Sequence, residues 1–257
     1  EKPKRFRSQS ISGSPTRFGV FPISIETNTI RHAVCDNDNK IMNGGHSHHY
    51  KTLLGAERLD YTKGLWHRME GYYQFLQRHP ELQKKVQYQQ ITPLSRSDIT
   101  QYKNTIEKTR KAVRKIQNTF SSSHWDPIAY SEDGLPREQL LEQMHESDIG
   151  LVTPLIDGQN LVAKEYLAVQ DSDNPGVLIL SQNAGAAEEL EMLGVLCVDP
   201  EDAQDIAAKI YQALSLSCED RQEIHEKCLS HLTKYDISHW SNAFLSRLQS
   251  PRLCSVS

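Results

Sequence analysis

The chain has 257 residues, 24% of them charged and 37% hydrophobic, a balance that suits one water-facing domain with appendages and is too polar for a membrane protein. No apolar run approaches the roughly 18 residues a bilayer span needs, and residues 1–5 are not followed by the apolar stretch of a signal peptide, so the cytoplasm is the expected location. A formal net charge of -4 argues against nucleic acid as a partner, yet leaves room for a local basic cleft around a phosphorylated ligand.

The first fifty residues are rich in Ser, Asn, His and Gly, with one β-like island at 18–25 (FGVFPISI), and read as a tail or linker. Within them NGGHSHHY carries His46, His48 and His49, but the Gly-rich surroundings supply no rigid scaffold for a metal, and none is expected. Cys35, Cys197, Cys218, Cys228 and Cys254 are odd in number and form no CxxC pair, so neither a disulfide framework nor a zinc site is indicated.

From residue 51 the texture changes to short apolar runs alternating with amphipathic stretches. Strands are expected at 52–57, 86–91, 128–130, 149–154, 176–181 and 195–198. Helices are expected at 65–79, 98–120, 136–145, 161–170, 184–191, 200–216, 218–233 and 237–248. Such a βαβ series implies an α/β fold: a Rossmann-like, doubly wound parallel sheet with helices on both faces. The expected division is a tail over 1–50, a ligand-binding domain over 51–235, and a C-terminal helix and tail over 236–257. Ligands of such sheets bind beyond the carboxyl ends of the strands, so the strand-to-helix turns carry the chemistry.

In ERLDYTKG, Arg58 and Lys63 lie five residues apart across a turn after the first expected strand of the domain, and Gly64 allows close entry into the next helix. Two cations there could converge on one phosphate dianion; the spacing equally permits Arg58 to pair with Glu57 or Asp60. In DGQNLVAKE, Asp157, Gly158, Gln159 and Asn160 form a loop ahead of a helix opened by Leu161 and Val162, whose free amides suit an anion. Glu165 shares a face with Leu161 and could hold a vicinal diol, or pair with a neighbouring lysine instead. SQNAGAAEEL offers small residues for close backbone approach, and PLSRSD places Arg96 in a loop before a helix.

Taken in order, ERLDYTKG, QQITPLSRSDITQY, SDIGLVTPLIDGQNLVAKEYLAVQ and NPGVLILSQNAGAAEEL resemble the trehalose-6-phosphate synthases over residues 18–248. The resemblance implies the C-terminal domain of a GT-B glycosyltransferase, retaining at the anomeric centre, without a metal or other cofactor. Its substrates would be UDP-glucose and glucose 6-phosphate. By that resemblance Arg58 and Lys63 bind the donor diphosphate and stabilise leaving UDP. Asp157 meets the glucose hydroxyls, the Gly158–Gln159–Asn160 turn adds backbone amides, Leu161 and Val162 face the diphosphate, and Glu165 holds the ribose. Arg96 matches the acceptor-phosphate arginine. Gln159 stands where these synthases usually have Met, and residues 27–50 depart from their pattern. The facing N-terminal GT-B domain, with most acceptor contacts, is not matched in this sequence, so the isolated chain is expected to bind donor without turning over; self-association is left open. A glucosylglycerol-phosphate synthase using ADP-glucose and glycerol 3-phosphate, and an inactive sugar-nucleotide-binding module, are the rival readings. A generic Rossmann oxidoreductase is disfavoured because no GxGxxG follows the first strand.

Overall fold

Six short segments, apolar or alternating, form the strands of one parallel sheet, and amphipathic segments between them supply the helices that cover it. The computed structural model describes residues 8–11, 14–17, 19–41, 50–94 and 100–249. A short antiparallel pair, β1 (Ser8–Ile11) and β2 (Ser14–Arg17), precedes α1 (Thr27–Ile41). The alternation then runs β3 (Lys51–Ala56), α2 (Leu65–Arg78), β4 (Val86–Ile91), α3 (Thr100–Phe120), β5 (Ile128–Ser131), α4 (Arg137–Glu146) and β6 (Ile149–Val152). It continues with α5 (Leu161–Val169), β7 (Val177–Ser181), α6 (Ala187–Leu190), β8 (Leu196–Val198), α7 (Ala203–Ser215), α8 (Cys218–Lys234) and α9 (Ile237–Gln249).

The sheet order is β5-β4-β3-β6-β7-β8, every pairing parallel. The chain works outward from β3 to one edge, returns to the middle as β6, and works outward to the other, which is the doubly wound arrangement expected from the alternation. Side-chain alternation sorts the core into two layers. Leu53, Ile149, Leu151 and Ile179 pack with α2, α3 and α7, whereas Leu54, Val152, Leu178 and Leu180 pack with α1, α4, α5 and α8. Among the described residues no helix is long and apolar enough to cross a membrane.

Three expectations need correcting. Residues 27–41, read as irregular, form α1, because Ile30 and Val34 lie one turn apart and are buried against the sheet-covering layer despite their polar neighbours. The β-like island pairs with no strand over its described residues. Its carbonyls are taken by side chains and a helix start instead: Phe21 O accepts from Trp240 Nε1 at 2.9 Å, Ile23 O from Lys164 Nζ at 3.0 Å, and Ile25 O from Ile237 N at 3.0 Å. The helix expected over 184–191 shrinks to α6 plus a short 3-10 turn, Glu191–Leu193, because residues 183–186 are bonded to the loop after β6: Asn183 O accepts from Asp157 N, Gly185 N donates to Asp157 O and Ala186 N donates to Gln159 O.

Candidate functional site

The sheet order reverses between β3 and β6, and the loops leaving their carboxyl ends meet there. Gly64 makes the meeting close: its φ is 66°, and a Cβ on it would lie 2.4 Å from the Thr153 carbonyl oxygen. Leu155 N donates to Thr62 O at 2.7 Å, tying the loop after β6 to the loop after β3. Across this seam Lys63 Nζ contacts Asp157 Oδ2 at 2.6 Å, both side chains about four-fifths buried (21% and 17% exposed). Arg58 is exposed and has no hydrogen bond or ion pair among the described residues. Its alternative partners are occupied: Glu57 is bonded to Arg68, and Asp60 to Thr62 and Tyr102.

Asp157 organises the second loop. Its Oδ2 accepts from Asn160 Nδ2 at 3.1 Å and its Oδ1 from Gln159 N at 3.3 Å. Asn160, at φ 72°, caps α5 by accepting from Ala163 N at 3.1 Å. The amides of Gly158, Leu161 and Val162 have no partner among the described residues, so the α5 N-terminus presents unpaired donors beside the Lys63–Asp157 pair. The SQNAGAAEEL segment supports this loop from behind. Gly185 N donates to Asp157 O at 3.0 Å and Ala186 N to Gln159 O at 3.0 Å. A Cβ on Gly185 would lie 2.1 Å from Gly158 O, so the close backbone approach expected of this segment is made to the neighbouring loop.

Glu165 pairs with Arg137 of α4 at 2.7 Å rather than with a lysine. Burial lifts its carboxyl above the usual value, and the Arg137 charge and hydrogen bond only partly offset this. The neighbouring Lys164 is turned inward instead. Fully buried, it pairs with Glu189 Oε1 at 2.6 Å. Glu189 also holds His231 Nε2 at 2.9 Å and receives Gln159 Nε2 at 2.5 Å. Arg96 and His46, His48 and His49 lie outside the described residues. Among the described residues no group of three or more His, Cys, Asp or Glu side chains converges as a metal site.

Two features escaped the sequence. The first is this Lys164–Glu189–His231 cluster. The second is Arg68, fully buried on α2, which bonds Glu57, donates to Gln90 Oε1 at 3.1 Å and to Thr153 Oγ1 at 2.8 Å, and reaches Lys63 O at 3.4 Å. It thereby fixes both ends of the segment that carries Arg58 and Lys63. A charged side chain on the apolar stripe formed by Leu65, Met69, Tyr72 and Leu76 was the available signal.

The family model described as glycosyltransferase family 20 matches residues 2–250. A trehalose-6-phosphate synthase of Escherichia coli O1:K1 is 38% identical over 245 residues, covering 95% of this chain and 51% of the relative. That of Cronobacter sakazakii is 41% identical over 199 residues, covering 77% and 42%. A solved α,α-trehalose-phosphate synthase (UDP-forming) from Burkholderia xenovorans, in complex with glucose-6-phosphate, superposes with a TM-score of 0.90 at 32% identity, over 96% of this chain and 55% of that one. The E. coli trehalose-6-phosphate structure with UDP-2-fluoro glucose bound gives 0.86 at 35% identity, over 96% and 56%. The chain spans about half the length of the curated relatives it matches.

Proposed function

The chain belongs to glycosyltransferase family 20, and from that premise we propose that it carries the sugar-nucleotide-binding half of a trehalose-6-phosphate synthase, which moves glucose from UDP-glucose to glucose 6-phosphate with release of UDP. Within it, residues 51–235 are the ligand-binding unit and the α9 helix with the residues after it is an appendage. The observation that carries the reading is the meeting of Lys63, paired with Asp157, and the free amides at the α5 N-terminus at the reversal of the sheet, with Arg58 exposed and unpartnered among the described residues on the same strand-to-helix turn.

The roles follow from charge and position. In a retaining transfer without an evident protein nucleophile, negative charge grows on the departing diphosphate, and cations already held against it by the bound donor when the bond breaks lower the barrier. Arg58 and Lys63 supply that charge, and the Leu161 and Val162 amides add a helix N-terminus aimed at the same anion. Asp157 accepts from the transferred glucose, and its present partner Lys63 turns from it toward the diphosphate when donor enters. Glu165 takes the ribose diol after yielding its bond to Arg137. The Gln159 side-chain amide is bonded to Glu189 and its main-chain N–H to Asp157, so Gln159 serves by ordering the loop around Asp157, and the exchange of Met for Gln leaves donor choice unchanged. Arg96 is the acceptor-phosphate ligand in this proposal.

Calorimetric titration of the chain with UDP and UDP-glucose tests the reading. The expected dissociation constants are micromolar to millimolar, about -4 to -8 kcal/mol, with UDP binding strongly weakened by Arg58→Ala. Absence of UDP binding by the folded chain overturns it.

A further inference from the structure

The segment between Arg58 and Lys63 has its own brace, delivered from α3. Asp60 Oδ1 accepts from Thr62 N and from Thr62 Oγ1, both at 2.9 Å. Its other oxygen accepts from the Tyr102 hydroxyl at 2.9 Å. Tyr102 is 4% exposed, and the ring of Tyr61 rests edge-on against it with centroids 5.7 Å apart. Thr62 in turn offers its carbonyl to Leu155 N, two residues before Asp157. Burial raises the Asp60 carboxyl, but the bonds from Thr62 and Tyr102 and the charge of Lys63 outweigh it and keep the group ionised below its usual value. A carboxylate whose hydrogen bonds come from its own turn and from a distant helix fixes the one relative to the other.

We propose that Tyr102 is a positioning residue for the diphosphate clamp: its hydroxyl holds Asp60, Asp60 holds Thr62, and the Arg58–Lys63 segment is thereby set in place from α3. The proposal rests on the reading of Arg58 and Lys63 as ligands of UDP. Tyr102 touches no substrate in it and acts only through Asp60. Because α3 begins four residues after Arg96, the brace also joins the donor clamp to the helix that follows the proposed acceptor-phosphate loop.

The test compares the wild-type chain with Tyr102→Phe, which keeps the buried ring and removes only the hydroxyl, and with Asp60→Asn. Two readouts are taken at a temperature where thermal melts show each variant fully folded: UDP affinity by calorimetry, and amide hydrogen exchange resolved over residues 61–64. The expected result for both variants is faster exchange at 61–64 together with UDP affinity weakened roughly 3- to 10-fold, the range one net hydrogen bond supplies. Exchange and UDP affinity both unchanged in Tyr102→Phe would overturn the brace, as would faster exchange with unchanged affinity, which would reduce it to a local structural contact. If the wild-type chain fails to bind UDP, the clamp reading falls, and the exchange rates still decide whether Tyr102 orders the segment.

Discussion

Lys63 and Asp157 stand 94 positions apart in the chain, and their side chains meet at 2.6 Å. Each neutralises the other in the absence of donor, so removing one exposes the charge of its partner. If the pair lines the proposed donor site, Lys63→Ala should weaken UDP at least tenfold, about 1.4 kcal/mol, because a cation is lost and the Asp157 carboxylate is left uncompensated beside the diphosphate. Adding Asp157→Asn to Lys63→Ala should recover part of that affinity. Titration of the two variants side by side checks this, and a double variant weaker than the single one would count against a shared crevice.

The Arg68–Glu57 pair is shielded from solvent, at 0% and 4% side-chain exposure. A charge left alone in such a place keeps its desolvation penalty and loses its compensation, so Arg68→Met should destabilise the chain by about 3 to 5 kcal/mol in urea unfolding. Glu57→Gln in the same background should cost much less than it does in the wild type, since the carboxylate has already lost its partner. Additive costs would show that the two side chains act independently.

Glu189 links Lys164, Gln159 and His231, and its acid titration can be followed through stability. Burial raises its carboxyl, but hydrogen bonds from His231 and Lys164, with their charges, bring it below the ordinary 4.5. A depressed carboxylate contributes stability that is complete above its unfolded value and is lost as pH falls through 4.5 toward the lower folded value. The stability difference between wild type and Glu189→Gln should therefore be largest near neutrality and shrink across that acid window. Urea midpoints measured from pH 6 to pH 3 decide it; a constant difference would mean the carboxylate does not titrate with folding.

Val177–Ser181 was legible because it is buried throughout and reads as an apolar run, whereas Val86–Ile91, interrupted by Gln87, Gln89 and Gln90, was legible from its alternating pattern, with Val86 and Tyr88 buried and Gln87 and Gln89 half-buried. The turns after β3 and β6 were legible as well, since Gly64 and Asn160 announce backbone that ordinary residues avoid. Helix α1 was hidden because its few apolar residues sit among Asp, Asn and Thr, and only tertiary burial of Ile30 and Val34 selects the helix. The partners of Arg68 were equally hidden. Glu57, Gln90 and Thr153 lie 11, 22 and 85 positions away, and no local spacing relates them.

The order β5-β4-β3-β6-β7-β8 has a consequence for how the chain is made. The half-sheet of β3, β4 and β5 emerges from synthesis first, complete in itself but with one flank of β3 bare. That flank is destined for β6, which begins at residue 149, and until then it presents unpaired amides and carbonyls together with Leu53 and Leu54. An open strand edge of this kind is a template for pairing with another chain, and parallel closure across so long a stretch is slow. Nascent chains halted between β5 and β6 are thus the species most exposed to aggregation, and their protection falls to whatever shields them during synthesis.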